Sequence, residues 1–171
     1  MSLSTQDRRK SIINSAALQL TSVYGLPGLT VRNISALTGL SASVIYSCIG
    51  GRDQIIIGIL DHFKSRIEQT FSKVLSTQNG TMDKIESILK NHYRTLSDVP
   101  SFLSIIFSEE LYEKSDKLRT KMDELIALNN RVLSSLIKEG QKNGEIRSDL
   151  DSQYLSAITL SSFRKIMKQL S

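Results

Sequence analysis

The chain of 171 residues is poor in the side chains that perform catalysis. It has two histidines, His62 and His92, and one cysteine, Cys48. The sequence has no Gly-rich phosphate loop and no His-Glu-x-x-His zinc motif. The residues three before the histidines are Ile59 and Leu89 rather than glutamates, which argues against a di-iron helical bundle. We therefore predict that the protein is not an enzyme and that it binds no metal and no cofactor.

The polar residues whose spacing best suits a binding function lie between Thr30 and Arg52. Small side chains at the start of a short helix let that helix enter a DNA major groove, which is about 12 Å wide, and the N–H groups of its first turn can bind phosphate. Tyr46 can donate its hydroxyl to a phosphate, and Arg52 can bring a positive charge to the same strand. Ala42 and Val44 can contact a thymine methyl group. The predicted DNA-binding residues are Thr30, Arg32, Ser41, Ala42, Ser43, Val44, Tyr46, Ser47 and Arg52.

Two short helices joined by a tight turn must position these residues. A helix-turn-helix needs a small residue where its helices cross, a turn residue that tolerates positive φ and an apolar residue after it, and Ser35, Gly39 and Leu40 meet these needs. Thr30 and Ser41 are suited to cap the two helices. Because helices this short are marginal in water, a preceding helix from Arg8 to Val23 must support them. Its apolar stripe is predicted at Ile12, Ile13, Ala16, Ala17 and Leu20, against which Val31, Ile34, Leu37, Val44 and Ile45 pack.

The middle of the chain also shows helical periodicity. After Gly50-Gly51, apolar residues recur at every fourth position from Ile55 to Phe71, which predicts a long helix. A second amphipathic pattern runs from Met82 to Leu96. The stretch SFLSIIFSEEL is apolar on nearly all sides and predicts one buried helix.

The C-terminal part is predicted to contain two more helices. Ser115 is suited to cap a helix about 40 Å long. The segment NGEIRSDLD predicts a turn in which Ser148 or Asp149 is the next start signal. A last helix is expected from about Ser152 to Leu170. No alternating β pattern of useful length occurs, so the chain is predicted to be all-α.

Charge and composition are compatible with a polyanionic partner. The net charge is +5 and the pI is about 9.4, and the first 60 residues account for +3 of this excess. No run approaches the roughly 20 apolar residues of a membrane span, and the first seven residues do not follow the plan of a secretory signal. A single cysteine excludes an internal disulfide and suits a reducing compartment. We expect a cytoplasmic protein.

The first 60 residues resemble the DNA-binding domain of the TetR (tetracycline-repressor-like) family. The matching motifs are Thr-Val-Arg-x-Ile at 30–34, Gly-Leu-Ser at 39–41, Ile-Tyr at 45–46 and Gly-x-Arg-Asp-x-Ile at 50–55. The later NGEIRSDLD segment is similar to the family's Gly-Glu-(apolar)-Arg-x-Asp turn before its dimerising helices. The resemblance implies an N-terminal three-helix helix-turn-helix DNA-binding domain at 1–51 and a C-terminal helical ligand-binding and dimerisation domain at 52–171.

The resemblance further implies a repressor that binds palindromic double-stranded DNA as a homodimer and is released by a small apolar or amphipathic effector. Aromatic residues, methionine and histidine on or near the inward stripes of the middle helices, including His62, would line the effector cavity, although such residues are more often plain core. The candidate effector-binding residues are Phe63, His92, Tyr93, Phe107 and Met122. The candidate dimer-interface residues are Tyr154, Leu155, Ile158, Phe163, Ile166 and Met167.

The expected switch is a change in the packing of the helix Arg52–Leu75. Such a change would alter the separation of the two recognition helices of a dimer, which must be near one DNA turn, about 34–36 Å.

The chain departs from the family pattern at two places. Ala42, Ser43 and Val44 stand where the family often has Lys, Gly and Thr, and Ser47 and Cys48 replace the usual His. Fewer phosphate donors predict modest non-specific affinity for DNA. The family generally dimerises through two C-terminal helices, whereas this sequence offers one, so we expect either a truncated chain or a different interface. The alternative function is a helical protein-interaction or structural module that has lost specific DNA binding.

Overall fold

The computed structural model describes residues 4–169, apart from the side chains at positions 100 and 101. This part of the chain contains nine α-helices and no β-strand, which confirms the all-α prediction. The helices are α1 (Thr5–Tyr24), α2 (Val31–Thr38), α3 (Ala42–Cys48), α4 (Arg52–Leu75), α5 (Thr81–Asp98), α6 (Pro100–Ile106), α7 (Glu109–Lys114), α8 (Asp116–Lys142) and α9 (Ser152–Gln169). The predicted last helical residue, Leu170, lies outside the described residues.

The described chain forms two compact units. The first comprises residues up to 63 together with 99–121, and the second comprises 64–98 together with the residues from 122 onward. The units are not contiguous in sequence, because α6, α7 and the start of α8 belong with the N-terminal helices. These compact units do not test the functional domains expected at 1–51 and 52–171, so that division stays a prediction.

In the first unit, α1 contacts α2, α3, α6 and the short 3₁₀ turn Leu26–Gly28. Ile13, Ile34 and Ile45 are completely buried and link the first three helices. The predicted inward position is wrong for Ile12 and Leu37, whose side chains are 42% and 45% exposed. Each lies beside the buried stripe of its helix rather than on it, because that stripe follows the 3.6-residue period through Ile13 in α1 and Ile34 in α2.

The predicted single helix in SFLSIIFSEEL is instead two short helices, α6 and α7, which break at Phe107 and Ser108. Ser108 takes an extended conformation, and Glu109 and Glu110 follow in the first turn of α7. Acidic side chains at this position favour a new helix start, because they face the positive end of the helix dipole. Hydropathy alone gave no indication of this break.

The second unit is built from the end of α4, α5, most of α8 and α9. These four elements meet at His92 of α5, whose ring lies 5.7 Å from that of Phe71 in α4 and 6.3 Å from that of Phe163 in α9. Its Nε2 lies 2.7 Å from the Oδ1 of Asn129 in α8. Met82, which was predicted to face inward at the start of α5, is 54% exposed.

The turn between α8 and α9 also fastens the start of α5. Gly144, with φ of 74°, follows the end of α8 and lies in the predicted NGEIRSDLD turn. The carboxylate of Glu145 then accepts hydrogen bonds from the N–H groups of Thr81, at 2.8 Å, and Met82, at 3.4 Å. The turn therefore supplies the N-terminal cap of a helix more than 60 residues earlier in the chain.

The start signal of α9 is Asp151 rather than Ser148 or Asp149. The Asp151 Oδ1 accepts the N–H of Gln153 at 2.7 Å. Asp149 instead pairs with Arg147, whose Nε donates to it at 2.6 Å. An aspartate caps a helix when it lies directly before the first helical residue, as Asp151 does. Asp149 lies further from the start of α9 and is paired with Arg147 instead.

Among the described residues, no single helix has the length and apolar character needed to cross a membrane. Helices α3 and α4 taken together meet the length and composition criteria for a membrane span, but they are bent by 56° relative to each other.

Candidate nucleic-acid interface and effector domain

The turn between α2 and α3 is held by hydrogen bonds from side chains of α2. The Ser35 hydroxyl donates to the carbonyl of Leu40 at 2.6 Å, and the N–H of Leu40 donates to the Thr38 hydroxyl oxygen at 3.2 Å. Gly39 adopts the left-handed conformation, with φ of 71°. The predicted turn role of Gly39 is confirmed. Ser35 contributes through its hydroxyl and Leu40 through its backbone groups, and the Leu40 side chain is only half-buried.

Both predicted helix caps are present. The Thr30 hydroxyl oxygen accepts the N–H of Asn33 at 3.1 Å, and that of Ser41 accepts the N–H of Val44 at 3.3 Å. The Ser41 and Ser43 hydroxyls lie 2.9 Å apart. The first turn of α3 therefore presents the Ser41 and Ser43 hydroxyl groups on an exposed surface.

The structure places most of the predicted DNA-binding residues in solvent. Ile45 is completely buried and anchors α3, while the next residue, Tyr46, is 56% exposed. Val44 is half-buried, so it offers less surface to a base than Ala42 does. The exposed members of the predicted set are Thr30, Arg32, Ser41, Ala42, Ser43, Tyr46, Ser47 and Arg52.

Arg52 has a structural contact that the sequence did not reveal. Its Nη2 donates to the carbonyl of Leu26 at 3.1 Å, which ties the start of α4 to the 3₁₀ turn. Hydrogen bonding to Lys114 lowers the pKa of the Glu110 carboxyl, and the positive charge of Arg52 contributes to the same shift. Glu110 therefore offsets part of the charge with which Arg52 would approach a phosphate.

The start of α4 is also joined to the residue before α8. The Ser115 hydroxyl donates to the carboxylate of Asp53 at 2.6 Å. Further along the same helices, the Lys121 ammonium lies 2.6 Å from the carboxylate of Asp61. These long-range pairs could not be found from spacing, because their partners are about 60 residues apart.

The candidate effector residues fall in both compact units. In the first, the Phe63 ring is buried and lies 4.8 Å from that of Phe102, and Phe107 is half-buried at the end of α6. In the second, His92 and Met122 are buried, whereas Tyr93 is 48% exposed. The inward position predicted for Tyr93 is wrong, because the buried stripe of α5 runs through His92, one residue before it.

His62, which was also placed on or near an inward stripe, is exposed. The buried stripe of α4 passes through the next residue instead.

His92 is the one buried histidine among the described residues. Its Nδ1 lies 2.9 Å from the carbonyl oxygen of Ile88, and its Nε2 faces the Oδ1 of Asn129, whose amide N–H in turn donates to Leu125 at 2.8 Å. Burial lowers the pKa of His92, and the contacts with Asn129 and Ile88 oppose that shift only in part. His92 and Asn129 therefore form a hydrogen-bonded polar pair in an otherwise apolar interior.

Helix α9 has an exposed apolar line. Tyr154, Ile158 and Ile166, spaced in multiples of four, are 73%, 60% and 56% exposed. Met167, by contrast, is 1% exposed, and the rings of Phe163 and His92 form a T-shaped pair with centroids 6.3 Å apart. The exposed line can meet a partner, whereas Met167 belongs to the core of its own unit.

A helix-turn-helix whose second helix faces solvent is the arrangement of a class of DNA-binding transcriptional regulators. Residues 54–168 match the TetR-type C-terminal family described as "YsiA-like protein, C-terminal region". The chain belongs to the TetR family of transcriptional regulators.

Known relatives agree with this assignment. The chain is 26% identical over 152 residues to the HTH-type transcriptional repressor NicS of Pseudomonas putida, covering 84% of this chain and 68% of the relative. It is 22% identical over 139 residues to the fatty acid metabolism regulator protein of Bacillus subtilis, covering 81% and 71%. The structure of FadR from Bacillus subtilis in complex with stearoyl-CoA is similar in fold, with a TM-score of 0.79, 19% identity and coverage of 93% and 85%.

Proposed function

We propose that the protein is a repressor that binds palindromic DNA as a homodimer through α3 and is released by an amphipathic effector bound in its second unit. The observation that carries the DNA-binding part is the first turn of α3. It is capped by Ser41, anchored by the buried Ile45 and exposes small polar side chains beside Tyr46. A short helix mounted this way has the shape that major-groove recognition requires.

DNA binding is tested with a pair of charge-adding variants measured by fluorescence anisotropy on selected DNA. Ser43→Glu places a negative charge on the first turn of α3, where phosphate would approach, so we expect affinity to fall by about tenfold or more. Ser65→Glu adds the same charge to an exposed position on α4 and serves as the control. Two results would favour the alternative function, a helical protein-interaction or structural module without specific DNA binding. One is an equal effect of the two variants, and the other is no DNA retention by the unmodified protein at low salt.

Dimerisation is proposed through the exposed apolar line of α9. Its composition supports this, because large apolar side chains exposed together on one helix are typical of an interface. Ile158→Glu should convert the dimer to a monomer in analytical ultracentrifugation, whereas Ser97→Glu on α5, an exposed serine, should not. A dimer that survives Ile158→Glu would require a different interface.

Effector binding is proposed in the interior of the second unit, where His92 and Asn129 form a polar pair among apolar side chains. The similar FadR of Bacillus subtilis forms a complex with stearoyl-CoA, which supports an amphipathic ligand for this chain. A panel of acyl-CoA thioesters of increasing chain length should release the protein from DNA at saturation. A ligand that binds but leaves DNA affinity unchanged would refute the switch. We propose that α4 transmits the change, since its residues contribute to both compact units.

A further inference from the structure

The second compact unit contains a polar cleft between the C-terminal half of α4 and α5. Its volume is about 200 Å³. Six polar residues contribute to its lining: Arg66, Gln69, Thr70, Lys73, Asn91 and Thr95. No acidic residue is among the residues that line it.

The two cations of the cleft lack acidic partners. Arg66 and Lys73 are seven residues apart, which places them on the same side of α4, two turns from each other. Neither forms an ion pair within the part of the chain that the structure describes, whereas the nearby Lys64 lies 3.9 Å from Glu68. Two unpaired positive charges at one cleft produce a local field that attracts anions.

The remaining polar groups show which hydrogen bonds are available. The Thr70 hydroxyl donates to a carbonyl of its own helix at 3.1 Å, and the Asn91 amide donates to a carbonyl one turn earlier in α5 at 2.7 Å. The Gln69 amide and the Thr95 hydroxyl have no such intramolecular bond among the described residues. The cleft thus offers two cations and two further donors, with the Asn91 oxygen as an acceptor.

We propose that this cleft binds a phosphoryl group, either as inorganic phosphate or as the phosphorylated end of a larger ligand. Arginine matches the geometry of phosphate oxygens with paired N–H groups, and lysine adds a point charge. One water needs about 10–15 Å³ of such a volume, so a cleft of about 200 Å³ has room for a phosphate and several waters. The site is independent of the proposed DNA-binding function.

The test is isothermal titration calorimetry of the full chain without DNA, at an ionic strength held constant with sodium chloride. The probes are inorganic phosphate, pyrophosphate and adenosine monophosphate. Arg66→Gln and Lys73→Gln should each raise the Kd by about tenfold or more, because each removes a charged donor. The control is Lys64→Gln, which removes the same charge from the same helix and should change the Kd less than about twofold.

The relative affinities of the probes show whether the cleft binds inorganic phosphate or the phosphorylated end of a larger ligand. Tighter binding of adenosine monophosphate than of phosphate identifies a larger phosphorylated ligand, and equal binding identifies the phosphoryl group itself. Absence of binding by all three probes overturns the proposal. An equal loss in Lys64→Gln and Arg66→Gln also overturns it, since the effect would then be general electrostatics. Circular dichroism and the Tm of each variant establish that the fold is intact.

Discussion

Replacing Gly39 should destabilise the first compact unit through backbone conformation alone. Gly39 has φ of 71°, and a Cβ added there would meet no atom within 4 Å. Forcing an L-residue into the left-handed region costs about 1–2 kcal/mol. Alanine also reduces the entropy of the unfolded chain, which offsets about 0.4–1 kcal/mol. The free energy of unfolding should therefore fall by about 1 kcal/mol in Gly39→Ala.

Gly39→Asn is the matched comparison at the same position. Asparagine also adds a Cβ in open space but tolerates the left-handed conformation better, so its effect should be smaller than that of alanine. Gly144→Ala is the second comparison, because Gly144 has φ of 74° and the same open surroundings but lies in the second unit. It should show a similar loss without affecting α2 and α3.

The assay combines urea denaturation, followed by circular dichroism, with amide hydrogen exchange. A loss of about 1 kcal/mol lowers the urea midpoint by roughly 0.3–1 M at unchanged m. Protection of the α2 and α3 amides should fall about fivefold in Gly39→Ala and stay unchanged in Gly144→Ala. If alanine and asparagine at position 39 have the same effect, or neither has any, the left-handed conformation is not what this turn requires.

Three further predictions concern burial and protonation. Ile45→Ala should lower the free energy of unfolding by about 2–5 kcal/mol, because it empties a completely buried site; a loss below about 1 kcal/mol in urea denaturation would contradict this. Burial would raise the pKa of Glu145, but hydrogen bonds from the N–H groups at the start of α5 hold it below the ordinary 4.5. The wild-type Tm should therefore fall as pH drops through that pKa, and Glu145→Gln should show a flatter Tm profile between about pH 6 and 3. The pKa of His92 is lowered from 6.5, so folding disfavours its proton and stability should decline as pH falls below about 6.5. His92→Leu should remove that decline and, at about pH 8, cost about 1–3 kcal/mol by leaving the Asn129 oxygen unpaired; wild-type stability that rises on acidification would refute the account.

The local features of the helix-turn-helix were predictable because they depend on neighbouring residues. Thr30, Ser41 and Gly39 perform their roles within four residues of their own positions, so spacing is sufficient to identify them. The family motifs covered the same stretch, and the family-level function followed from them.

Features that depend on distant residues were not predictable. The cap of α5 by Glu145 and the contact of Arg52 with Leu26 join residues that are far apart in the chain, and periodicity does not encode such contacts. The break between α6 and α7 has a local signal instead, the acidic pair Glu109 and Glu110, which hydropathy does not register. Met167 is an apolar residue of the kind found at interfaces, yet it is buried in its own unit. The sequence alone does not show which apolar side of a helix faces the core, because that depends on the neighbouring helices. For the same reason, the candidate effector residues were assembled from helices that belong to different compact units.

The discontinuous first unit has a consequence for biosynthesis. Helix α1 contacts α6, yet residues 64–98 separate the two segments of this unit. At a translation rate of about 5–20 residues per second, roughly 3–12 s pass between the synthesis of residue 63 and that of residue 121, the last residue of this unit. During that interval the uncovered side of α1 is available to a chaperone, and a nascent chain arrested before residue 99 should be captured there more readily than one released after residue 121.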